Sequence, residues 1–538
     1  MQSKFFDVAR DDFQSPSRKL VKAFDRFINP IKNTLMNIRL NLAALLAGAL
    51  IAISAQAQTA PKMKMTTDIP ASITTPDSVE TRLSTLKFFD GFPDDPTVAK
   101  VMDNLDFSRG VEAFLVGMPG ASLVGMRAGF KKLGAINGNI LIFESLLDSK
   151  SLFLTGNTDS VYFSTWIDLK GGPLVLEAPP KVLAFIDDFW FQYVTDIGNA
   201  GRDKGQGGKY LLLPPGYKGE VPQGYFVAQF RTFGGWLMGR GFKVNGNLKP
   251  GVESIRKNLR IYPLAQAKNP PETKFINGSG VEINTVHANN FGYFEELNQI
   301  VQEEPSEALD PDRLGLFASI GIEKGKPFAP DARMKKILTE AAAVGNATAR
   351  AILFRSRAKE AYFYPNSAWF TTFIGGSYEF LSQPGVRNLD ARTAFHYYAT
   401  GITPAMAMKM VGIGSQYAAA GVDSKSKPLD GSKTYKIRLP PNIPAKDFWS
   451  FVVYDNQTRS MLQTDQQFPS IGSQKKGIVL NPDTSVDVWF GPTAPKGHEA
   501  NWVQTIPGKG WNVLLRLYGP LQPWFDKTWK PGEFELVQ

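Results

Sequence analysis

Val161-Tyr162-Phe163-Ser164-Thr165-Trp166-Ile167-Asp168-Leu169 is the run on which the reading of the fold turns. Bulky apolar residues recur along it with the two-residue period of a half-buried strand. Gly171-Gly172-Pro173 follows as a turn, and Leu174-Val175-Leu176 restarts an apolar strand. Further strands are expected at 189–194, 210–213 and 225–230. The interval of about ten residues is the spacing of a sandwich or barrel.

Outward from this region the period changes. Over residues 250–425 the apolar residues fall on helical faces. Asn290 is placed to cap a helix with Phe294, Leu297, Ile300 and Val301 on one side. Asp331, after Pro330, starts another with Met334, Ile337, Leu338, Ala341 and Ala342 as its stripe, and Asp390 is placed to cap a third over 391–398. Strands return after the turn Leu429-Asp430-Gly431-Ser432, at 435–439, 449–454, 485–490 and 511–518. The tail from Pro523 to Trp529 is aromatic enough to pack on the body or on another subunit. Upstream, residues 86–154 read as mixed, with a helical stretch at 97–105 and Gly and Met punctuating 117–134.

The expected organisation is an upstream extension and signal peptide (1–57), a flexible linker (58–84), an N-terminal β-rich domain (85–250), a helical bridging region (251–425) and a C-terminal β-sandwich (426–538). The fold class is therefore a β-rich α+β protein.

The chain has 538 residues, 60 Lys+Arg against 50 Asp+Glu, 3 His and no Cys. Without cysteine there are no disulfides, thiol nucleophiles or cysteine-held metals. Arg39, the apolar run from Leu40 to Ile53 and then Ala55-Gln56-Ala57 make an export signal with cleavage expected after Ala57. A buried helix is the alternative. Met36 offers a second start site besides Met1. The mature chain keeps a net charge of +6, too small and dispersed for nucleic-acid binding. The periplasm, or secretion, is the expected location, with no stable membrane anchor after cleavage.

Several chemistries are missing. No Gly-x-Ser-x-Gly elbow and no His-Glu-x-x-His occurs. His287, His396 and His498 lie far apart in sequence; a metal site needs two of them to converge. Residues 201–209 are glycine-rich but match neither the dinucleotide fingerprint nor the P-loop. In Asp187-Asp188 and Glu303-Glu304 neighbouring side chains point apart, so adjacency makes no acid–base pair. Asn157-Thr158-Asp159 leading into Tyr162 is the most suggestive polar run. Asp159 can orient an Arg or act as a base, and Tyr162 can donate to an oxyanion; the alternative is an Asx turn that only starts the strand.

Gly156-Asn157-Thr158-Asp159-Ser160-Val161-Tyr162, Asp168-Leu169 with Gly172-Pro173, Asp196 with Gly201-Arg202, Tyr210-Leu211 with Pro215-Gly216-Tyr217-Lys218-Gly219, and Gly239-Arg240 together resemble the bacterial domain of unknown function 1254. Asp430-Gly431-Ser432 with Tyr435, Phe448-Trp449-Ser450, Val453-Tyr454-Asp455, Asn501-Trp502 with Pro507, Leu515 to Pro520, and Trp529 with Pro531 resemble its companion, domain of unknown function 1214. The resemblance runs over 85–538, with Thr155-Gly156 where many relatives look like Pro-Asn. It implies an exported, oligomeric protein of two jelly-roll-like β-sandwich domains joined by a helical region, and hydrolysis of amphiphilic esters such as alkyl sulfates. Carried over by position, Asn157, Asp159, Tyr162, Arg202 and Arg240 face the first domain's cleft. Trp449, Tyr454, Asn501, Trp502, Arg516 and Tyr518 are the second domain's signature, several of them as packing residues.

The expected function is an exported hydrolase of amphiphilic anionic esters. Asp159 and Tyr162 are its catalytic candidates; Asn157, Arg202 and Arg240 hold the anion, since guanidinium forks suit sulfate, phosphate and carboxylate. No cofactor is expected. The alternative is a non-catalytic envelope protein binding a lipid, a glycan or a partner through the same groove, and the third is metal-dependent chemistry on the histidines.

Overall fold

The computed structural model describes residues 63–537 apart from Asn245. The signal segment, its cleavage point and the alternative start lie outside the described residues. A small three-stranded sheet, Ser78–Thr81, Ser84–Phe89 and Phe92–Pro93, occupies part of the segment expected to be linker. Arg82–Ser84 and the residues from Asp94 onward form a compact unit that holds all the candidate site residues.

Two pairs of sheets organise this unit. The first pair is a six-stranded sheet in the order Lys274–Asn277, Asn139–Ile142, Val161–Asp168, Gly234–Gly241, Leu183–Asp188, Tyr193–Gly198, and a four-stranded one in the order Phe226–Gln229, Gly208–Leu213, Leu174–Ala178, Arg260–Pro263. Val161, Phe163, Ile167, Leu176, Leu212 and Leu237 fill the space between them. The second pair is Ser415–Ala420, Trp511–Pro520, Ala445–Asp455, Ser470–Gly472 against Trp502–Gln504, Val486–Gly491, Tyr435–Leu439, Glu535–Leu536. Phe451, Val453, Val488, Phe490, Val513 and Leu515 pack between these. The fold is β-rich, with helices and sandwiched sheets.

Val161–Asp168 is buried on both faces rather than half-buried. Its odd-numbered residues enter the sandwich, while Tyr162 and Trp166 enter a third core shared with the helices and with Tyr454 and Leu514 of the second sandwich. Its buried hydroxyls are satisfied: Ser164 donates to Leu237 O at 2.7 Å and Thr165 to Asn139 O at 2.8 Å.

The third core is built around a helix of 39 residues, Asp95–Leu133, capped by Asp94 and ended by Gly134 in the left-handed region. The helical stretch expected at 97–105 therefore continues through the glycines. A Cβ at Gly120 would stand 2.6 Å from the Trp190 ring, and one at Gly129 2.5 Å from the Asn284 carbonyl oxygen. These glycines mark close approach, not breaks. The helix is long and apolar enough to cross a membrane, yet its most apolar stretch is 89% buried inside the protein.

Gly292–Glu303 and Ala332–Phe354 follow the expected stripes; Asp331 caps the second by accepting from Met334 N at 2.7 Å, whereas Asn290 stands one residue before the first helix's N-cap, Phe291, and makes a turn there by accepting from Gly292 N at 3.0 Å. The third helix, Leu389–Tyr398, is capped by Asn388 and not by Asp390, because the Asn388 side chain accepts from Ala391 N at 2.9 Å. The strand expected at 189–194 sits later, at Tyr193–Gly198. Residues 189–192 turn instead, held by the Asp188 carboxylate on Trp190 N and Gln192 N, with Phe191 left-handed at φ 57°. The stretch expected as a helical bridge also lends Arg260–Pro263 and Lys274–Asn277 to the first sandwich and Ser415–Ala420 to the second.

The adjacent carboxylates do diverge. Glu303 pairs with Arg127 at 2.7 Å and Lys170 at 2.9 Å. Burial works against its charge, but the two cations prevail and hold the carboxyl down at about 2. Glu304 instead accepts from Phe233 N and Gly234 N, and burial raises it to about 7. Asp187 accepts from Ile402 N at 2.9 Å while Asp188 pairs with Arg231 at 3.0 Å. The tail packs on its own chain: Trp524 and Trp529 join the second sandwich core.

Gly129→Ala tests the close approach on the long helix. Helix propensity alone favours Ala by about 1 kcal/mol. The clash is with backbone, which cannot rotate away, so the variant should instead lose about 1–3 kcal/mol, the usual cost of overpacking. The guanidinium unfolding midpoint measures the sign; a raised midpoint contradicts the packing described here.

Candidate functional site

Side-chain parity assembles the site. On Gly234–Gly241, Leu237 enters the first sandwich while Trp236, Met238 and Arg240 take the other face. On Trp511–Pro520, Val513, Leu515 and Leu517 enter the second sandwich while Leu514, Arg516 and Tyr518 take the other face. Arg240 pairs across the ladder with Tyr162, and Arg516 pairs with Tyr417 on one side and Ser450 on the other. Alternation thus sends one polar set from each sandwich toward the same hollow.

That hollow is a cavity of about 960 Å3, open mouth included, lined on its apolar side by residues such as Phe153, Phe185, Trp236, Met238, Phe395 and Leu514. Asn157, Tyr162, Asp196, Arg240, Tyr417 and Arg516 supply its polar wall. The mixture of rings with a few polar groups matches small-molecule sites in general.

Two guanidinium groups dominate the wall. Arg516 is 2% exposed; one terminal nitrogen donates to Thr155 O at 2.6 Å and Tyr454 Oη at 2.7 Å, and the other, Nη1, is buried with no partner. Arg240 is partly buried with its guanidinium 6.0 Å from the Tyr518 ring centroid. Among the described residues no carboxylate lies within 4.0 Å of either group. Burial opposes both charges, but the surrounding phenol oxygens outweigh it and raise both groups above the usual arginine value: Tyr417, Tyr518 and Tyr162 around Arg240, and Tyr454, Tyr518 and Tyr162 with Asp159 around Arg516. Burial raises the Tyr162 phenol against the pull of Arg240 and Arg516, so it stays protonated at neutral pH. Asp196 is raised to about 6 by burial, against hydrogen bonding that includes the Tyr193 hydroxyl, and with no contribution from either arginine.

The loop before the key strand joins the two sandwiches. Asn157 makes an Asx turn, its Oδ1 accepting from Asp159 N at 2.9 Å and Ser160 N at 3.3 Å, and its Nδ2 donates to Tyr162 Oη. Asp159 Oδ2 accepts from Ser450 Oγ at 2.7 Å and Tyr518 Oη at 2.9 Å, both on the second sandwich. Tyr454 Oη donates to Gly156 O at 2.6 Å, and Thr158 bonds Ser470 at 2.8 Å. Thr155 is held at φ 46°, uncommon for a β-branched residue, with its carbonyl on Arg516. The departure at Thr155-Gly156 thus falls on the segment that touches both halves.

Of the sequence candidates, Asn157, Tyr162, Arg240 and Arg516 line the cavity together. Asp159, Tyr454 and Tyr518 stand behind its wall through the bonds above. Arg202 does not join them: it is exposed, donates to Val227 O and lies over the Tyr210 and Phe226 rings. Trp449 packs in the second sandwich core, and Trp502 donates from Nε1 to Gly491 O at 2.9 Å. Asn501 bridges Val479 and Asp487 carbonyls at 2.7 and 2.8 Å. His287 sits beside Tyr293 and Tyr397, His396 between Phe191 and Phe380, and His498 stacks on Trp489 at 3.8 Å. Among the described residues no three of His, Asp and Glu gather as a metal site. Tyr417 and Asp196 were not singled out as site residues. Tyr417 precedes a run of alanines that carries no site signal, whereas Asp196 was visible as the one acid in an apolar strand.

Asp159→Ala should cost about 1–3 kcal/mol by stranding two buried hydroxyl donors. Tyr518→Phe should then cost about 0.5–3 kcal/mol less in that background than in the wild type, as coupled neighbours do. Urea unfolding of the four proteins of this cycle measures the difference; strict additivity would mean that the loop does not hold the two sandwiches together.

Residues 138–263 match the family model described as protein of unknown function (DUF1254), and residues 414–522 the one described as protein of unknown function (DUF1214). The crystal structure of the VPA0106 protein from Vibrio parahaemolyticus is 18% identical, with 80% of this chain and 100% of that one covered at a TM-score of 0.48. That of an uncharacterized protein from Burkholderia cenocepacia is 11% identical, with 81% and 96% covered at a TM-score of 0.35. No curated protein matches the chain. In one chain, then, a match to the domain of unknown function 1254 is followed by a match to the domain of unknown function 1214.

Proposed function

We propose that the cavity binds an amphiphilic anion, its head on Arg240 and Arg516 and its tail along the aromatic wall. The observation that carries this is the buried, unpartnered Nη1 of Arg516 on a cavity lined also by Arg240, with no carboxylate among the described residues in ion-pair reach of either. A buried guanidinium with an unmade hydrogen bond and no counter-ion carries a desolvation cost, and an anion from solution relieves it. Tyr162 accepts from Asn157 and keeps its own proton as a further donor to the head group. The export signal read in the sequence would place this binding in the periplasm or outside the cell.

Titration calorimetry of the full chain with octyl sulfate and octanoate, against octyl glucoside as the neutral control, tests the reading. The anions should bind better than the glucoside. Arg240→Gln should weaken them about 10- to 100-fold, as expected for loss of a charge-assisted contact, and leave the glucoside unchanged. Equal affinity for charged and neutral heads would end the proposal.

Hydrolysis of such an anion's ester is the second reading, and Asp196 favours it. A carboxyl at about 6 on the wall is the group there suited to take a proton from water near neutrality. Only the ionised form acts as a base, so kcat/KM should rise with pH through about 6 and level above it. Asp196→Asn should abolish turnover of alkyl sulfate, phosphate and carboxylate esters while octyl sulfate still binds. No turnover of any ester by the wild type leaves binding as the function.

A further inference from the structure

Helix Leu389–Tyr398 has a cavity on each side. Phe395 and Tyr398 line the one described above; Arg392 and His396 line a second, of about 950 Å3 with its mouth. Arg231, Arg313 and Arg387 join Arg392 there, and Glu379 is the one acidic residue among the described lining residues.

These four cations are not equally compensated. Arg231 pairs with Asp188 at 3.0 Å and Arg313 with Asp310. Among the described residues Arg387 donates only to a backbone carbonyl, that of Glu379, at 2.8 Å. Arg392, 4% exposed, makes no ion pair among the described residues, and its Nε is buried with no partner. Burial, and then repulsion from Arg313 and Arg387, hold Arg392 down to about 10. His396 Nδ1 is likewise buried and unpartnered, in a ring 2% exposed. Trp190 and Phe317 stack at 6.2 Å and 15° on the same wall, giving the hollow an aromatic flank.

We propose that this second cavity binds a small organic anion with two negative charges on oxygen, a dicarboxylate or a phosphate monoester, held by Arg387 and Arg392 with its body against Trp190 and Phe317. Two guanidinium forks without carboxylate partners match two charges on an oxyanion, which accepts their hydrogen bonds in pairs. A monoanion would leave one of them uncompensated. The aromatic flank selects an organic body over a bare inorganic ion.

The test is titration calorimetry of the full chain at fixed ionic strength with glutarate and phenyl phosphate, against butyrate and methyl phenyl phosphate as monoanions. At least one dianion should saturate, ten times tighter or more than its monoanionic counterpart. Glutarate alone identifies a dicarboxylate site and phenyl phosphate alone a phosphate-ester site. Arg387→Gln should weaken the bound dianion at least tenfold, leave octyl sulfate binding unchanged and match the effect of Arg392→Lys, which keeps the charge but loses the fork. Arg202→Gln, at an exposed residue that lines neither cavity, should change nothing. If neither dianion saturates, if monoanions bind as well, or if both arginine variants bind like the wild type, the proposal is overturned.

Discussion

The contact between residues 155–159 and the outer face of the second sandwich is the constraint on which the rest depends. Within five residues the loop gives two carbonyls, a hydroxyl and a carboxylate to Arg516, Tyr454, Ser470, Ser450 and Tyr518. These groups are buried or nearly so, and each unmade bond would carry the cost of a desolvated polar group. The loop must therefore sit in one register, and the sandwiches with it. That register is what brings Tyr162 and Arg240 opposite Tyr417 and Arg516.

Both key strands are buried on both faces because each sheet packs twice, once against its sandwich partner and once against the shared helical core. A residue on the second face cannot reach bulk water, yet Arg516, Tyr518 and Tyr162 are polar. Such groups persist where something satisfies or exploits them. Most are satisfied by phenols and backbone carbonyls; the exception is Nη1 of Arg516, a residue that lines the cavity. The long helix makes this arrangement possible, since its glycines let Trp190 and the backbone at Asn284 come close.

The two hollows flanking Leu389–Tyr398 differ in character. The first has rings with two arginines steadied by phenols, and the second has four arginines, two of them set against carboxylates. Asn388 starts the helix that divides them. Arg392 and His396, four apart, share the side toward the second cavity, and Phe395 and Tyr398, three apart, the side toward the first, because 3.6 residues per turn brings residues three and four apart together.

Local pattern was enough for much of the architecture. Alternation located Val161–Asp168, aromatic and β-branched density located Trp511–Pro520, and Asp331 announced the helix that follows it. The failures have physical causes. Phe189-Trp190-Phe191 has the composition of a strand, but the Asp188 carboxylate binds its backbone into a turn. Glycines that suggest a broken helix at 117–134 are spaces for neighbours that the sequence does not name. The motif residues at 155–162 were legible as important, and the parity of each strand already separated sandwich-facing from outward-facing side chains. The chain's own order thus determined which residues share a face. Which faces meet was decided by tertiary packing alone: Arg202 and Arg240 both stand beside glycines and read alike, yet one lies on the surface and the other on the cavity wall, because only the fold sets how far each is from water.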